Sequence, residues 1–223
     1  MNPNTPFTCC EDKKRKFDNS TKNTAGVDGL DRSIKRFDFP LLVLNQHKCV
    51  LKGGLWSGQI HICPIEGLST ETASVLHGHT TTVTSIVSTA NERTVITGSK
   101  SGDVIVWSYI FGSVGCNANN WIIRSHKCDH ESQVSHIHIN EDMNMYLTSS
   151  LDGSVKLYNL WNDSFIRCFQ HPKLSPVHSA VLTQAPLPAC CFFSREDHHW
   201  YAYSLNNPGH MLEKQKEECS HMI

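Results

Sequence analysis

The stretch Gly78-His79-Thr80-Thr81-Thr82-Val83-Thr84-Ser85-Ile86 has a counterpart 51 residues further along the chain, Asp129-His130-Glu131-Ser132-Gln133-Val134-Ser135-His136-Ile137. The same offset continues without a gap beyond these two stretches. It places Thr97, Ser99, Gly102, Val104 and Trp107 on Thr148, Ser150, Gly153, Val155 and Tyr158. Similarity maintained at one fixed spacing is the signature of a repeated structural unit. The chain is therefore predicted to be built from repeats.

A predicted tight turn between two strands marks the repeat along the rest of the chain. The turn residues are Ser57, Ser101, Asp152 and Asp197, at intervals of 44, 51 and 45 residues. Six positions after them come Cys63, Trp107, Tyr158 and Tyr203. Short runs rich in β-branched and aromatic residues alternate with glycine, asparagine, serine and proline turns, and no segment keeps a helical period. The sequence predicts an all-β chain.

A period near 45 residues with about four short strands is typical of a WD40-type β-propeller blade, a four-stranded antiparallel sheet that packs on its neighbours. We predict a partial propeller of about four blades at residues 37–218, with blades that end near residues 65, 109, 160 and 205. The longer interval predicts an insertion loop at 108–128. Residues 1–36, which hold the basic run Lys13-Lys14-Arg15-Lys16, are predicted to be a disordered polar tail, and residues 219–223 a short tail.

The third predicted blade carries the polar residues that connect the strands of a WD-type blade. In such a blade a histidine before the first strand meets an aspartate of the tight turn, and a Thr or Ser and a Trp continue the hydrogen-bond chain. His130, Asp152, Thr148 and Tyr158 fill these four roles here. The set is nearly complete, because tyrosine keeps a donor where tryptophan is usual.

The second and fourth predicted blades depart from this pattern. The second has His79, Thr97 and Trp107, with Ser101 in place of the aspartate. The fourth has Asp197 and Tyr203, with Ser175 at the histidine position and Phe193 at the threonine position. We expect these two blades to be held more by packing than by a polar chain.

Several segments resemble the C-terminal WD repeats of BEACH-domain proteins, the neurobeachin family. They are Gly53-Gly54-Leu55-Trp56-Ser57-Gly58-Gln59-Ile60, the stretch from Val75 to Thr84, Asp129-His130-Glu131, and the strand pair from Phe192 to Asn206. The resemblance covers residues 37–218, with Ser57 where the family has aspartate and without a BEACH domain before the repeats. It implies a non-catalytic scaffold module in vesicle trafficking or membrane dynamics.

The resemblance also implies the kind of partner and place. The partners would be other proteins, including the BEACH domain or further blades of the same propeller. The place would be the cytoplasm, with at most peripheral or indirect association with vesicle or endosomal membranes. Two alternatives stay open: a WD40 adaptor of a ubiquitin-ligase or chromatin complex, and a metal-binding module formed by Cys116, His126, Cys128 and His130. Their spacing matches no common zinc finger, which favours a polar loop with one structural histidine.

Composition and motifs exclude other classes of function. The balance of 20 Lys+Arg against 21 Asp+Glu is not that of a strongly basic nucleic-acid binder. Without an apolar membrane-spanning run or a secretory signal, the ten cysteines are expected to be reduced thiols. Nucleophile-elbow, phosphate-loop and dinucleotide-binding motifs do not occur. We therefore expect no enzyme activity, cofactor, bound metal, small-molecule substrate or nucleic acid.

The predicted insertion loop contains a candidate protein-binding set. Its members are Asn119, Asn120, Trp121 and Arg124. Tryptophan and arginine are enriched at the energetic centres of protein interfaces, and variable loops on a rigid scaffold are common binding sites. The alternative for Trp121 is that it packs on its own blade.

Overall fold

The computed structural model describes residues 40–54, 57–65, 74–110, 120–184 and 188–206, together with the backbone of 211–216. The regular elements of these ranges are all strands, sixteen in number. They are β1 (Leu41–Leu44), β2 (Cys49–Gly53), β3 (Ile60–Pro64), β4 (Ser74–Leu76), β5 (Val83–Ser88), β6 (Thr94–Ser99), β7 (Val104–Tyr109), β8 (Trp121–Lys127), β9 (Val134–Asn140), β10 (Met145–Ser150), β11 (Ser154–Asn159), β12 (Phe165–Gln170), β13 (Ser179–Thr183), β14 (Ala189–Ser194), β15 (His199–Ser204) and β16 (Met211–Lys216). Within the same ranges, no helix is long and apolar enough to cross a membrane.

The strands form four sheets, each made of four consecutive strands paired antiparallel with their neighbours in sequence. We call these sheets blades 1 to 4 in chain order. The predicted blade ends near 65, 109, 160 and 205 fall at the ends of β3, β7, β11 and β15. The fourth strand of each sheet follows these positions. The sequence pattern therefore marks the first three strands of a blade, where the repeated polar and aromatic residues lie.

The predicted insertion loop at 108–128 needs correction. Residues 121–127 of it form β8, the outer strand of blade 2, which pairs with β7 from Trp121↔Tyr109 to Lys127↔Val104. Most of the side chains of β8 are partly or fully exposed. An outer strand with solvent on both faces lacks the apolar alternation by which strands are recognised in sequence. The predicted tails at 1–36 and 219–223 lie outside the described residues.

Buried apolar layers separate successive blades. One layer holds Leu51 and Ile60 of blade 1 with Val95 and Trp107 of blade 2. Two further layers lie between blades 2 and 3 and between blades 3 and 4. Blade 2 contributes Ile96, Val104 and Val106 to the second layer, and Leu147, Leu157 and Phe192 belong to the third. Neighbouring residues of β6, such as Val95 and Ile96, face different layers, so an inner strand is apolar on both faces.

An irregularity in strand pairing recurs at the same place in three blades. The register between the third and fourth strands shifts at Val106/Trp107, at Leu157/Tyr158 and at Ala202/Tyr203. The aromatic residue that follows the shift is the one that the sequence places six positions after the turn. A β-bulge bends the strand and re-aims the next side chain. The repeated aromatic residue therefore marks a repeated bend.

The tight turns between second and third strands need glycine in blades 2 and 3. Gly102 has φ +91° and Gly153 has φ +84°, a region that L side chains rarely adopt. A Cβ on Gly102 would lie 2.2 Å from the backbone oxygen of His130 in the next blade. A Cβ on Gly153 would meet its nearest atoms, in Leu174, at 3.0 Å. The turn of blade 2 thus lies against the chain that begins blade 3.

Replacing these glycines should test how closely the blades approach. Both Gly102→Ala and Gly153→Ala should lose about 1–2 kcal/mol to the left-handed backbone. The new Cβ would meet backbone atoms in both variants, at 2.2 Å in Gly102→Ala and at 3.0 Å in Gly153→Ala. The free energy of unfolding of Gly102→Ala, measured by urea denaturation, should therefore fall further. Equal losses in the two variants would contradict the close approach of Gly102 to His130.

Candidate functional site

His130 is the centre of a hydrogen-bond chain in blade 3. Its Nδ1 lies 3.1 Å from Asp152 Oδ2 and 3.0 Å from Ser154 Oγ, and its Nε2 lies 2.8 Å from Thr148 Oγ1. Because Nδ1 faces a carboxylate that can only accept, Nδ1 donates to Asp152. The imidazole is fully buried. The structure thus brings together His130, Asp152 and Thr148, as the sequence predicts.

Asp152 is held by several donors besides His130. The backbone N–H of Glu131 donates to Oδ2 at 2.9 Å, and the N–H and hydroxyl of Ser154 donate to Oδ1 at 2.8 and 2.6 Å. Burial on its own would raise the pKa of Asp152, but these hydrogen bonds hold that pKa well below its usual range. The turn and the start of the blade are therefore joined through one ionised carboxylate.

Tyr158 links this chain to the residue that precedes His130. Its hydroxyl donates to Asp129 Oδ2 at 2.8 Å, and its ring stacks on Tyr146 with centroids 5.0 Å apart. Burial, followed by the bond to Asp129, raises the pKa of Tyr158. The side chain is a neutral donor at physiological pH, and its hydroxyl bonds to Asp129, which is not a member of the predicted set of His130, Asp152 and Thr148.

Blade 2 keeps half of this chain. Thr97 Oγ1 lies 2.7 Å from His79 Nε2 and accepts from Trp107 Nε1 at 2.9 Å. Ser101, at the aspartate position, bonds to Asp103 Oδ2 at 2.8 Å, and His79 Nδ1 is buried with no hydrogen-bond partner. Burial lowers the pKa of His79 to about 4, against the weaker opposing effect of Asp103. The imidazole is therefore neutral at physiological pH.

The expectation for blade 4 was wrong, because this blade has a histidine in the polar chain. His171 Nε2 lies 3.2 Å from Asp197 Oδ2, and its Nδ1 accepts the backbone N–H groups of Lys173 and Ser175, each at 3.2 Å. Tyr201 Oη also donates to Asp197 Oδ2, at 2.5 Å. Burial lowers the pKa of His171. This histidine lies four positions before Ser175, so only an alignment that allows a gap in the connection would find it.

Two aromatic residues of blade 4 pack without joining this chain. The ring of Tyr203 stacks on Phe192, with centroids 5.6 Å apart and an interplanar angle of 8°. Phe193 lies half-buried against Trp200. The aspartate of blade 4 is thus tied to Tyr201, two residues before the predicted Tyr203.

Two of the candidate loop residues, Asn120 and Trp121, are buried and so are not part of an exposed contact surface. Asn120 is buried and donates through Nδ2 to Tyr109 Oη at 3.0 Å. Trp121 is 5% exposed and meets Tyr109 and His47 at ring distances of 5.2 and 5.9 Å. His47 belongs to the turn after β1, so Trp121 is packed between blades 1 and 2. Asn119 lies outside the described residues.

Arg124, the last member of that set, connects blades 2 and 3. Its Nε and one terminal nitrogen donate to the two carboxylate oxygens of Asp163 at 2.8 and 2.9 Å, and the same terminal nitrogen reaches Leu160 O. Lys127 Nζ donates to the backbone oxygen of Asp163 at 2.7 Å. Arg124 is therefore a structural residue in this fold.

Exposed apolar side chains lie close to Arg124 and Asp163 in the sequence, on β8, on β12 and in the turn before β12. We call them the outer rim surface. It comprises Ile122 and Ile123 on β8, Trp161 in the turn before β12, and Phe165 and Ile166 on β12. Trp161 is 82% exposed, the largest value among the exposed large apolar residues of the described ranges. These residues belong to the outer strands of two adjacent blades and the turn between, and neighbours on one strand, such as Ile122 and Ile123, point to opposite faces of their sheet.

A polar pocket of about 180 Å³ lies on the outside of blade 3. Its lining is Asp129, Glu131, Asp152, Ser154, Lys156, Cys168 and Gln170. Lys156 Nζ donates to the backbone oxygen of Asp129, and burial raises the pKa of the Cys168 thiol. This thiol is therefore not activated as a nucleophile.

The alternative of a metal site formed by Cys116, His126, Cys128 and His130 is met only in part by the described residues. His130 is committed to the polar chain of blade 3, and Cys116 lies outside the described residues. His126 and Cys128 do lie together, and Asp103 joins them.

Comparisons with known proteins agree with this architecture. The family described as "WD domain, G-beta repeat" matches residues 70–108 and 122–159, which end with the third strands of blades 2 and 3. Among solved structures, the WD40 β-propeller domain of Doa1 is similar with a TM-score of 0.60 at 20% identity, over 80% of this chain and 54% of that one. The predicted all-β, WD40-type propeller fold is confirmed. Propellers of this kind are generally non-catalytic scaffolds.

One curated protein shares sequence with a smaller part of the chain. It is the BEACH domain-containing protein lvsD of Dictyostelium discoideum, 30% identical over 93 residues. The match covers 41% of this chain and 3% of that protein. The chain thus spans a small fraction of this relative and about half of the solved propeller.

Transferring the blade 3 arrangement to blade 2 should stabilise the chain. Ser101→Asp combined with Asp103→Ser would give His79 Nδ1 a carboxylate partner, and we expect a gain of about 1 kcal/mol in the free energy of unfolding at pH 7. The new aspartate would have a lowered folded pKa, so the gain should be lost as pH falls below about 4. Urea denaturation of the double variant and the wild type, at pH 7 and at a pH below about 4, measures this gain in the free energy of unfolding. A gain that persists in acid would contradict the His79 pairing.

Trp121→Ala should behave as a core substitution. Because the indole is buried between two blades, we expect a loss of about 3–5 kcal/mol in the free energy of unfolding. Ile122→Ala, at the exposed neighbouring position, is the matched control and should cost much less. A Trp121→Ala chain as stable as the control would restore the prediction of an exposed binding residue.

Proposed function

We propose that this chain is the protein-interaction module of a BEACH-type scaffold acting in vesicle trafficking or membrane dynamics, and that the outer rim surface is its partner contact. The observation that carries the interaction role is Trp161, 82% exposed on a propeller surface. Large exposed apolar patches on soluble scaffolds mark sites of association. The BEACH assignment is supported by the 30% identity to lvsD and by the family resemblance of the blade segments.

The turn that presents Trp161 is well ordered by hydrogen bonds. Asn159 Oδ1 accepts the backbone N–H groups of Trp161 and Asn162 at 2.9 and 3.2 Å, and Asn159 O accepts that of Asp163 at 3.0 Å. Arg124 fixes Asp163 from the neighbouring blade. A side chain held on a rigid turn loses little conformational entropy on binding, which favours affinity.

The occupant that fits this surface is an apolar segment of another protein. Arg124 and Lys127 already donate to Asp163. Arg167, next to Ile166, donates to the backbone oxygens of Ser204 and Leu205. They are therefore not free to attract the anionic headgroups that hold a peripheral protein on a membrane. The proposal accordingly places the chain in the cytoplasm, with its membrane association through protein partners.

Further blades are proposed as a second kind of partner. Leu41 and Val43 of β1 are exposed, and so is Trp200 of blade 4. Exposed apolar side chains on sheets at both ends of a row of blades are the faces on which additional blades would pack. This supports a larger propeller in the working protein.

Affinity capture of the tagged full chain from cells tests the proposal. We expect vesicle-coat and small-GTPase partners, reduced about tenfold or more by Trp161→Ala with unchanged thermal stability. Leu174→Ala is the matched control, because Leu174 is also a large, exposed apolar residue but lies beyond the other end of β12. Quantitative mass spectrometry reads out each partner.

The outcomes separate the two parts of the proposal. Ubiquitin-ligase or histone partners in place of trafficking proteins would overturn the BEACH assignment and favour the adaptor alternative. Trafficking partners captured equally by wild type and Trp161→Ala would retain the assignment and reject the outer rim surface as the contact.

A further inference from the structure

Three potential metal ligands of different chemical types meet on the outside of blade 2. A carboxylate oxygen of Asp103, a ring nitrogen of His126 and Sγ of Cys128 all lie within 4.8 Å of one another. Strand pairing fixes this arrangement: Val104, next to Asp103, pairs with Lys127, which separates the other two residues. Residues two apart on a strand share a face. Cys128 directly follows the last residue of β8, and its Sγ, the His126 ring nitrogen and the Asp103 carboxylate oxygen lie together on this side of the sheet.

We propose that Asp103, His126 and Cys128 form a zinc-binding site. Thiolate, imidazole and carboxylate are the three ligand types that Zn²⁺ takes in proteins, and three such ligands leave one of four tetrahedral positions for water. The donor atoms are close enough to converge on one ion with side-chain adjustment alone. The proposed site shares His126 and Cys128 with the alternative set from the sequence. It has Asp103 as its third ligand, and neither His130 nor Cys116 belongs to it.

The carboxylate is oriented by residues behind it. Asp103 Oδ2 accepts from Ser101 Oγ at 2.8 Å, and Ser101 Oγ lies 2.9 Å from the hydroxyls of Thr81 and Ser99. Hydrogen bonds of this kind fix metal-binding carboxylates in position and tune their affinity. The serine that weakens the polar chain of blade 2 thus supports the site.

A buried nitrogen without a partner lies on the same side of the blade. His79 is 7% exposed, and its Nδ1 makes no hydrogen bond. In blade 3 the same nitrogen of His130 contacts Asp152 and Ser154, which correspond to Ser101 and Asp103 at the offset of 51. His79 Nδ1 therefore faces the side of blade 2 that carries the cluster. The carboxylate of Asp103 is not paired with His79 as that of Asp152 is with His130, so its charge is available to a positive ion.

Blade 3 provides the internal comparison. The counterpart of His126 on β12 is Cys168, which pairs with Lys156, and the counterpart of Asp103 is Ser154. Lys156 lines the polar pocket of blade 3, and its counterpart in blade 2 is the apolar residue Ile105. A fixed cation and a serine disfavour a metal ion, so only blade 2 is expected to bind one.

Cobalt titration of the full-length chain, reduced and freed of metal, tests the site. We expect one equivalent of Co²⁺ to give a thiolate-to-cobalt charge-transfer band and tetrahedral visible bands, both abolished by Zn²⁺. Cys128→Ser and His126→Gln should each weaken Co²⁺ binding by about tenfold or more, since even outer-shell changes have effects of that size. Cys168→Ser, which alters another exposed thiol, should bind as the wild type does.

Several outcomes would overturn the proposal. These are the absence of a charge-transfer band, an unchanged band in Cys128→Ser, or a band lost in Cys168→Ser instead. Circular dichroism melting curves confirm that each variant is folded. Asp103→Asn supplies a third independent variant should one of the other two fail to fold, and it too should bind Co²⁺ more weakly.

Discussion

The repeated architecture depends on the contacts of one buried histidine in a blade. This histidine precedes the first strand of a sheet and reaches the tight turn of the same sheet. In blade 3 one imidazole bridges Asp152 and Thr148, and in blade 4 His171 lies against Asp197. A polar ring removed from water is costly unless its nitrogens find partners. The connection between blades must therefore return to a fixed point on the next sheet. That point also determines where Gly102 must pass the backbone of His130.

The predictable part of the fold is the part in which sequence spacing and spatial spacing coincide. Blades 2 and 3 have the same connections through three strands, so one offset identifies His130, Asp152 and Thr148 together. The connection to blade 4 is longer, and His171 moves out of register although it performs the same task. The outer strand β8 escapes detection for another reason. Its exposed side chains are not selected for an apolar alternation.

A local sequence pattern also cannot predict which side chains are buried between two blades. Trp121 has the composition and surroundings of an interface residue, but its neighbour His47 comes from a different sheet more than 70 positions away. Arg124 likewise meets Asp163 only because blade 3 packs beside β8. Both contacts are consequences of the stacking of sheets. The residues left exposed by that stacking, Trp161 above all, are recognised only after the packed ones have been assigned.

The difference between blades 2 and 3 shows how a repeat acquires a separate property. Asp152 and Ser154 of blade 3 correspond to Ser101 and Asp103 of blade 2, so the two residue types have exchanged places. In blade 3 the carboxylate of Asp152 accepts hydrogen bonds from His130 and from a backbone N–H group. In blade 2 the carboxylate of Asp103 is displaced outward, where it meets His126 and Cys128, and His79 Nδ1 is left without a partner. Blade 2 retains its shape because Thr97 still joins His79 to Trp107 and apolar layers cover both faces of the sheet. Because packing holds the sheet of blade 2, the carboxylate of Asp103 is not needed in the polar chain. It can therefore act as a metal ligand on the surface.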